Sequence, residues 1–136
     1  MTEVHIYVDV ADMERGIAFY GALGLAPHRR FSPTWVELAG AGVPISLLAG
    51  RTPVADLGAT TAPRTWNRHW TPVHLDFVVP DLDAAVAALL ALGGTLDRPP
   101  AAREYGRIAA MADPFGNGLD LIEFSGDGYE DLSRDG

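Results

Sequence analysis

Two stretches of the 136-residue chain carry the same polar residue in the same place: VHIYVDVADM at 4–13 and VHLDFVVPDL at 73–82. Each sets a histidine, His5 or His74, at the head of a run that otherwise reads as strand. An imidazole there can ligate a metal, carry a proton near neutral pH or hydrogen-bond a neighbour. Tyr7 and Asp76 lie two residues further on, and strand alternation puts them on the histidines' side. Other candidates are Glu37 in TWVELAG, Tyr105 in REYGR, Glu123 in LDLIEFS, and Trp66 and Trp70 in WNRHW. Equally informative is what is missing. With no cysteine, thiolate metal sites, disulfides and a cysteine nucleophile are excluded. All ten basic residues are arginines, which removes Schiff-base chemistry and a phosphate-loop lysine.

The elements that must position these residues follow from a duplication. Slid by 69 positions, 4–24 and 73–93 agree at eight of 21 residues, among them Val4, His5, Val10, Asp12 and Gly24. An internal repeat explains this best. In each copy a period-two strand leads to an aspartate, Asp12 or Asp81, placed as an N-cap. Met13, Ile17, Tyr20 and Leu23, and then Leu82, Val86, Leu89 and Leu92, recur at helical spacing. Gly24 and Gly93 end the helices where a left-handed residue is wanted. Strands are expected near 25–31, 34–39 and 44–49, and again near 95–98, 107–112 and 119–125, with DPFGNG as the last turn.

The fold class is therefore α+β, two βαβββ modules. The first spans 1–50, a linker loop 51–72, the second module 73–126, and a polar acidic tail, expected to be solvated and partly disordered, 127–136. In the last strand either phase is readable. If Ile122 and Phe124 face the helix, Glu123 joins the histidines on the opposite side.

A net charge of −8 argues against a nucleic-acid binder, which needs a basic face. No apolar run approaches the ~20 residues of a membrane span, and no signal-peptide pattern opens the chain. A cytoplasmic protein with neither nucleic-acid nor membrane partners is expected.

The double βαβββ plan, the VHxxxxVxD openings and the closing DPFGNGLDLIEF resemble the vicinal oxygen chelate superfamily over residues 4–126. That group includes glyoxalase I, extradiol dioxygenases and bleomycin-resistance proteins. The resemblance implies an incomplete barrel around a central cavity and, by position, metal ligation by His5, His74 and Glu123. It also implies a homodimer whose pocket forms within one chain or across two. Aligning 43–50 with 119–126 sets Leu47 opposite Glu123, where glyoxalase I enzymes carry a carboxylate. A two-histidine, one-carboxylate set leaves coordination positions open and resembles the dioxygenases more than glyoxalase I. Fe2+, Mn2+, Zn2+, Co2+ or Ni2+ would suit it.

The expected function is a metal-dependent enzyme that chelates a small oxygenated substrate through vicinal oxygens. The alternative is a metal-free protein of the bleomycin-resistance type that sequesters a small molecule, for which an acidic surface suits a cationic planar ligand. A scaffold that binds neither is a third reading. Tyr105 is the candidate catalytic proton or hydrogen-bond donor, with a surface tyrosine as the plain reading. Tyr7, Asp76, Trp66 and Trp70 are the candidate pocket residues. The WNRHW segment reads either as a lid over an aromatic ligand or as an apolar clamp. Glu37, on the third strand, reads as a rim residue supporting the site.

Overall fold

The computed structural model describes residues 1–50 and 65–133. The chain divides into two compact units, Met1–Asn67 and Arg68–Gly136. That boundary falls inside the expected linker, of which 51–64 lie outside the described residues.

Unit 1 runs β1 (Ile6–Val10), α1 (Met13–Gly21), β2 (Ala26–Ser32), β3 (Trp35–Ala39) and β4 (Ile45–Ala49). Unit 2 repeats the plan as β5 (Leu75–Val78), α2 (Leu82–Ala91), β6 (Thr95–Arg103), β7 (Gly106–Ala112) and β8 (Gly118–Phe124). The strand orders are β1-β4-β3-β2 and β5-β8-β7-β6. In both sheets the first strand pairs in parallel with the last, and the remaining pairs are antiparallel. This is the expected α+β pair of βαβββ modules. The one long departure is β6, which continues to Arg103 across Pro99 and Pro100. It does so as an outermost strand, through register shifts on either side of Arg98, the setting in which a sheet tolerates proline.

Both helices start as expected. Asp12 accepts from Arg15 N at 3.0 Å, and Asp81 accepts from Ala84 N at 3.0 Å, each satisfying an orphan first-turn amide. The chain leaves both helices through a glycine at φ 94°.

Each helix buries an apolar stripe on one face of its own sheet. In unit 1, a Cβ on Gly16 would lie 3.1 Å from both Leu47 and Val10, so those side chains face α1. Phe19, Tyr20, Val36, Leu38 and Ile45 complete this core. In unit 2, Leu82, Val86 and Leu89 of α2 are buried, as are Leu119 and Leu121 of β8 and Met111 of β7. The opposite, open face of each sheet carries the polar chemistry.

The described part of the acidic tail, 127–133, is more ordered than its composition suggests. Gly128–Leu132 form a short 3-10 helix, entered through Gly126 and Gly128 at φ 56° and 63°. The Tyr129 ring packs against Phe124 at 4.8 Å between centroids. That apolar contact fixes a segment that charge alone would leave solvated.

Candidate functional site

In unit 2, β5 and β8 run in parallel with Asp76 opposite Asp120 and Leu75 opposite Leu119. Since Leu119 and Leu121 are buried in the core, alternation turns Asp76, Asp120, Ile122 and Phe124 to the open face. His74, just before β5, places its Nδ1 2.8 Å from Asp76 Oδ1 and 3.9 Å from Asp120 Oδ2. One ligating atom from each of the three lies within 4.8 Å of the others. Burial pushes the Asp120 carboxyl above its ordinary value. The negative charge of Asp76 and a hydrogen bond between the two carboxyls add to the rise, and His74 and Arg98 oppose it.

Aromatic rings border this cluster. Trp70 meets the His74 ring edge-on at 5.3 Å, and the Arg68 guanidinium lies 4.7 Å over the Trp70 ring. Arg68 is itself held by Asp97 at 2.6 Å. Gly118 makes the seat, because a Cβ there would come within 2.9 Å of both Trp70 and Arg68. Further along β8, Phe124 and Tyr105 stand 6.4 Å apart, and Tyr129 lies 5.1 Å from Tyr105. The Tyr129 phenol is pushed up by burial first, then by Tyr105, Asp76 and Asp120. Tyr129 thus stands near enough to the carboxylates to feel their charge.

Glu123 is not part of this cluster. Its Oε1 accepts from Leu82 N at 3.0 Å, which puts the side chain on the α2 side with Leu119 and Leu121. There it satisfies a first-turn amide next to Asp81 and stands 3.9 Å from Arg107. The expected phase of β8 is corrected by one residue. Ile122 and Phe124 face away from the helix, and Asp120 occupies the place beside His74 that Glu123 was expected to take. Strand register corrects the alignment of the repeats as well. Ile6 pairs with Ile45 and Leu75 with Leu119, so Ser46, not Leu47, is the counterpart of Asp120. Leu47 matches the buried Leu121.

Unit 1 arranges its open face differently. Tyr7, Ser46 and Glu37 share it, through the registers Tyr7↔Ser46 and Glu37↔Ser46. Glu37 is only 4% exposed, and its Oε1 accepts from Arg29 Nε at 2.8 Å. His5 Nδ1 stands 4.0 Å from Glu37 Oε2, beyond hydrogen-bond reach. Ser46 accepts from Trp35 Nε1 at 3.2 Å. Tyr7 is exposed.

Of the sequence candidates, the structure brings His74, Asp76 and Trp70 together. Tyr105 lies among the aromatic rings of the same unit. His5 and Tyr7 lie on unit 1, and Trp66 is exposed at its end. Asp120, Tyr129 and Arg29 were not anticipated. The parallel pairing of the first and last strands could have found Asp120, because it sets that residue opposite Asp76.

The glyoxalase-like domain family profile matches residues 5–122. The anthracycline biosynthesis protein DnrV of Streptomyces peucetius is 35% identical over 115 residues, 78% of this chain and 39% of that protein. DauV of Streptomyces sp. strain C5, also an anthracycline biosynthesis protein, is 39% identical over 75 residues, 53% of this chain and 25% of that protein. The chain thus spans well under half the length of both relatives. Among solved structures, a glyoxalase/bleomycin resistance protein from Albidiferax ferrireducens T118 superimposes with TM-score 0.65 at 25% identity, covering 89% of this chain and 97% of that one. TnmS3, an antibiotic binding protein from Streptomyces sp. CB03234, does so with TM-score 0.60 at 25% identity, covering 92% and 97%.

Proposed function

The chain belongs to the glyoxalase-like domain family, and from that premise we propose that it binds a planar, amine-bearing small molecule of antibiotic metabolism on the open face of unit 2. The observation that carries this reading is the paired carboxylates of Asp76 and Asp120 beside a single imidazole. Two acids sharing one site are short of positive charge, and an ammonium group entering between them relieves their repulsion. Trp70 and Tyr129, both about half exposed, give a flat cation flanking rings to stack on. The relatives named for anthracycline biosynthesis and antibiotic binding support a ligand of this kind.

A second reading, a divalent cation at the same place, is favoured by the spacing of the three ligating groups. One imidazole and two carboxylates within that distance fit an ion such as Mn2+, Fe2+ or Zn2+. His74, Asp76 and Asp120 would hold it. Bound there, the ion would polarise the vicinal oxygens of a substrate as a Lewis acid. The chain's own residues would do the rest: Arg98 offsets the excess negative charge, and Trp70 and Tyr129 exclude water from one side.

Calorimetry with 9-aminoacridine, a planar cation, tests the first reading. Saturable binding lost in Asp76→Asn/Asp120→Asn supports it, and binding unchanged in that variant refutes it. Elemental analysis after anaerobic incubation with Mn2+, Fe2+ or Zn2+ tests the second. It stands if about one ion per chain is retained and then lost in His74→Ala.

A further inference from the structure

The open face of unit 1 holds a second polar site whose chemistry is the reverse of the first. Glu37 is nearly fully buried on it and is anchored by the side edge of the Arg29 guanidinium, Nε at 2.8 Å and Nη2 at 3.4 Å. Side-on pairing of this kind uses two of the five guanidinium protons. Nη1 is left pointing away from Glu37, on a side chain 55% exposed. An open cleft of about 340 Å³ adjoins it, lined by Arg29, Glu37, His28, Gly40, Gly42 and Val43.

A ring platform flanks the same guanidinium. Phe31 and Trp35 lie 4.2 Å apart between centroids, both partly exposed, with Arg29 Cζ 5.9 Å from the Phe31 ring. The indole N–H of Trp35 is committed to Ser46, so the tryptophan offers its ring and not its donor.

The charge balance defines what fits. Glu37 cancels Arg29. Phosphate or sulfate would find no uncompensated cation. A ring carbonyl or a phenolic oxygen needs only a directed donor and a flat surface, and both are present. The acceptor-rich face of unit 2 would repel such an oxygen.

We propose that unit 1 binds planar aromatic compounds bearing carbonyl or phenolic oxygen. Arg29 Nη1 donates to that oxygen, and Phe31 and Trp35 carry the ring. Glu37 is a positioning residue, fixing the angle of the guanidinium. This site stands on the residues of unit 1 alone and does not depend on the amine or metal readings of unit 2.

The experiment is a nitrogen-15 heteronuclear NMR titration of the full chain with 5-hydroxy-1,4-naphthoquinone, with naphthalene as the oxygen-free control. Having neither cysteine nor lysine, the protein offers no thiol or side-chain amine for the quinone to alkylate. Saturable shifts of the Trp35 indole N–H and of the β2 and β3 amides are expected from the quinone, with far weaker ones from naphthalene. In Arg29→Gln/Glu37→Gln, which removes both charges together and strands neither, affinity falls at least about tenfold, as expected for loss of a charge-assisted hydrogen bond. Asp76→Asn/Asp120→Asn leaves it unchanged. The proposal is overturned by shifts confined to β5 and β8, by equal affinity for naphthalene, or by no saturable shift at all in the wild-type chain. The wild-type map decides even if the double variant fails to fold.

Discussion

Asp76 and Asp120 face each other across the parallel β5–β8 pair, with His74 Nδ1 2.8 Å from the first and 3.9 Å from the second. Burial and the neighbouring Asp76 raise the Asp120 carboxyl above its ordinary value of 3.8. Below that value the carboxyl is protonated in both folded and unfolded chains and costs nothing. As pH rises through the raised folded value, the unfolded chain gives up its proton first, so folding loses stability and stays the poorer above it. Asp120→Asn is therefore expected to raise the melting temperature at pH 7, by roughly 2–5 °C, and to leave it unchanged near about pH 3. Paired thermal melts of variant and wild type at the two pH values check this. An equal shift at both would mean that the gain is not electrostatic.

Glu123 serves the fold through the amide of Leu82. Glu123→Ala is expected to cost about 1 kcal/mol, in the range of a lost helix cap. It should leave cation or amine binding at His74 intact. Urea unfolding measured beside calorimetry separates the two effects. A loss of binding without loss of stability would return Glu123 to the site.

The C-terminal 3-10 helix depends on Gly128, where φ is +63° and a Cβ would sit 2.8 Å from the Phe124 ring. Gly128→Ala strains the backbone by about 1–2 kcal/mol and forces Tyr129 off Phe124. Faster proteolysis at 128–132 is expected, with several-fold weaker binding of 9-aminoacridine and little change in global melting. Unchanged proteolysis would show that Tyr129 holds its place by other means.

The expected homodimer makes a plain prediction. Sedimentation equilibrium should return twice the 14.5 kDa chain mass at micromolar concentration. A mass of one chain, independent of concentration, removes that expectation.

The repeat and the sequence of elements along each copy were legible because the determinants are local: alternation, two capping aspartates and two left-handed glycines. The phase of β8 was not. Leu119, Leu121, Ile122 and Phe124 give both faces of LDLIEF apolar side chains, so hydrophobicity alone cannot say which way Glu123 points. Pairing with β5 decides it, and that contact spans more than forty residues of sequence. His74 and Asp76 were found because they lie two residues apart at the head of one short strand. Arg29 was missed because its value lies in its carboxylate partner, Glu37, on the next strand. Tyr129 was missed because an acidic tail gives no hint that one ring in it packs on β8.

The prolines of β6 bear on how this protein behaves when crowded. Pro99 and Pro100 occupy the outermost strand of their sheet and have no N–H to offer an incoming chain. A foreign strand cannot add along that border without leaving carbonyls unmet and distorting itself around two rigid rings. Cross-β growth from unit 2 would have to begin at the four-residue β5 edge instead, a short template for a fibril.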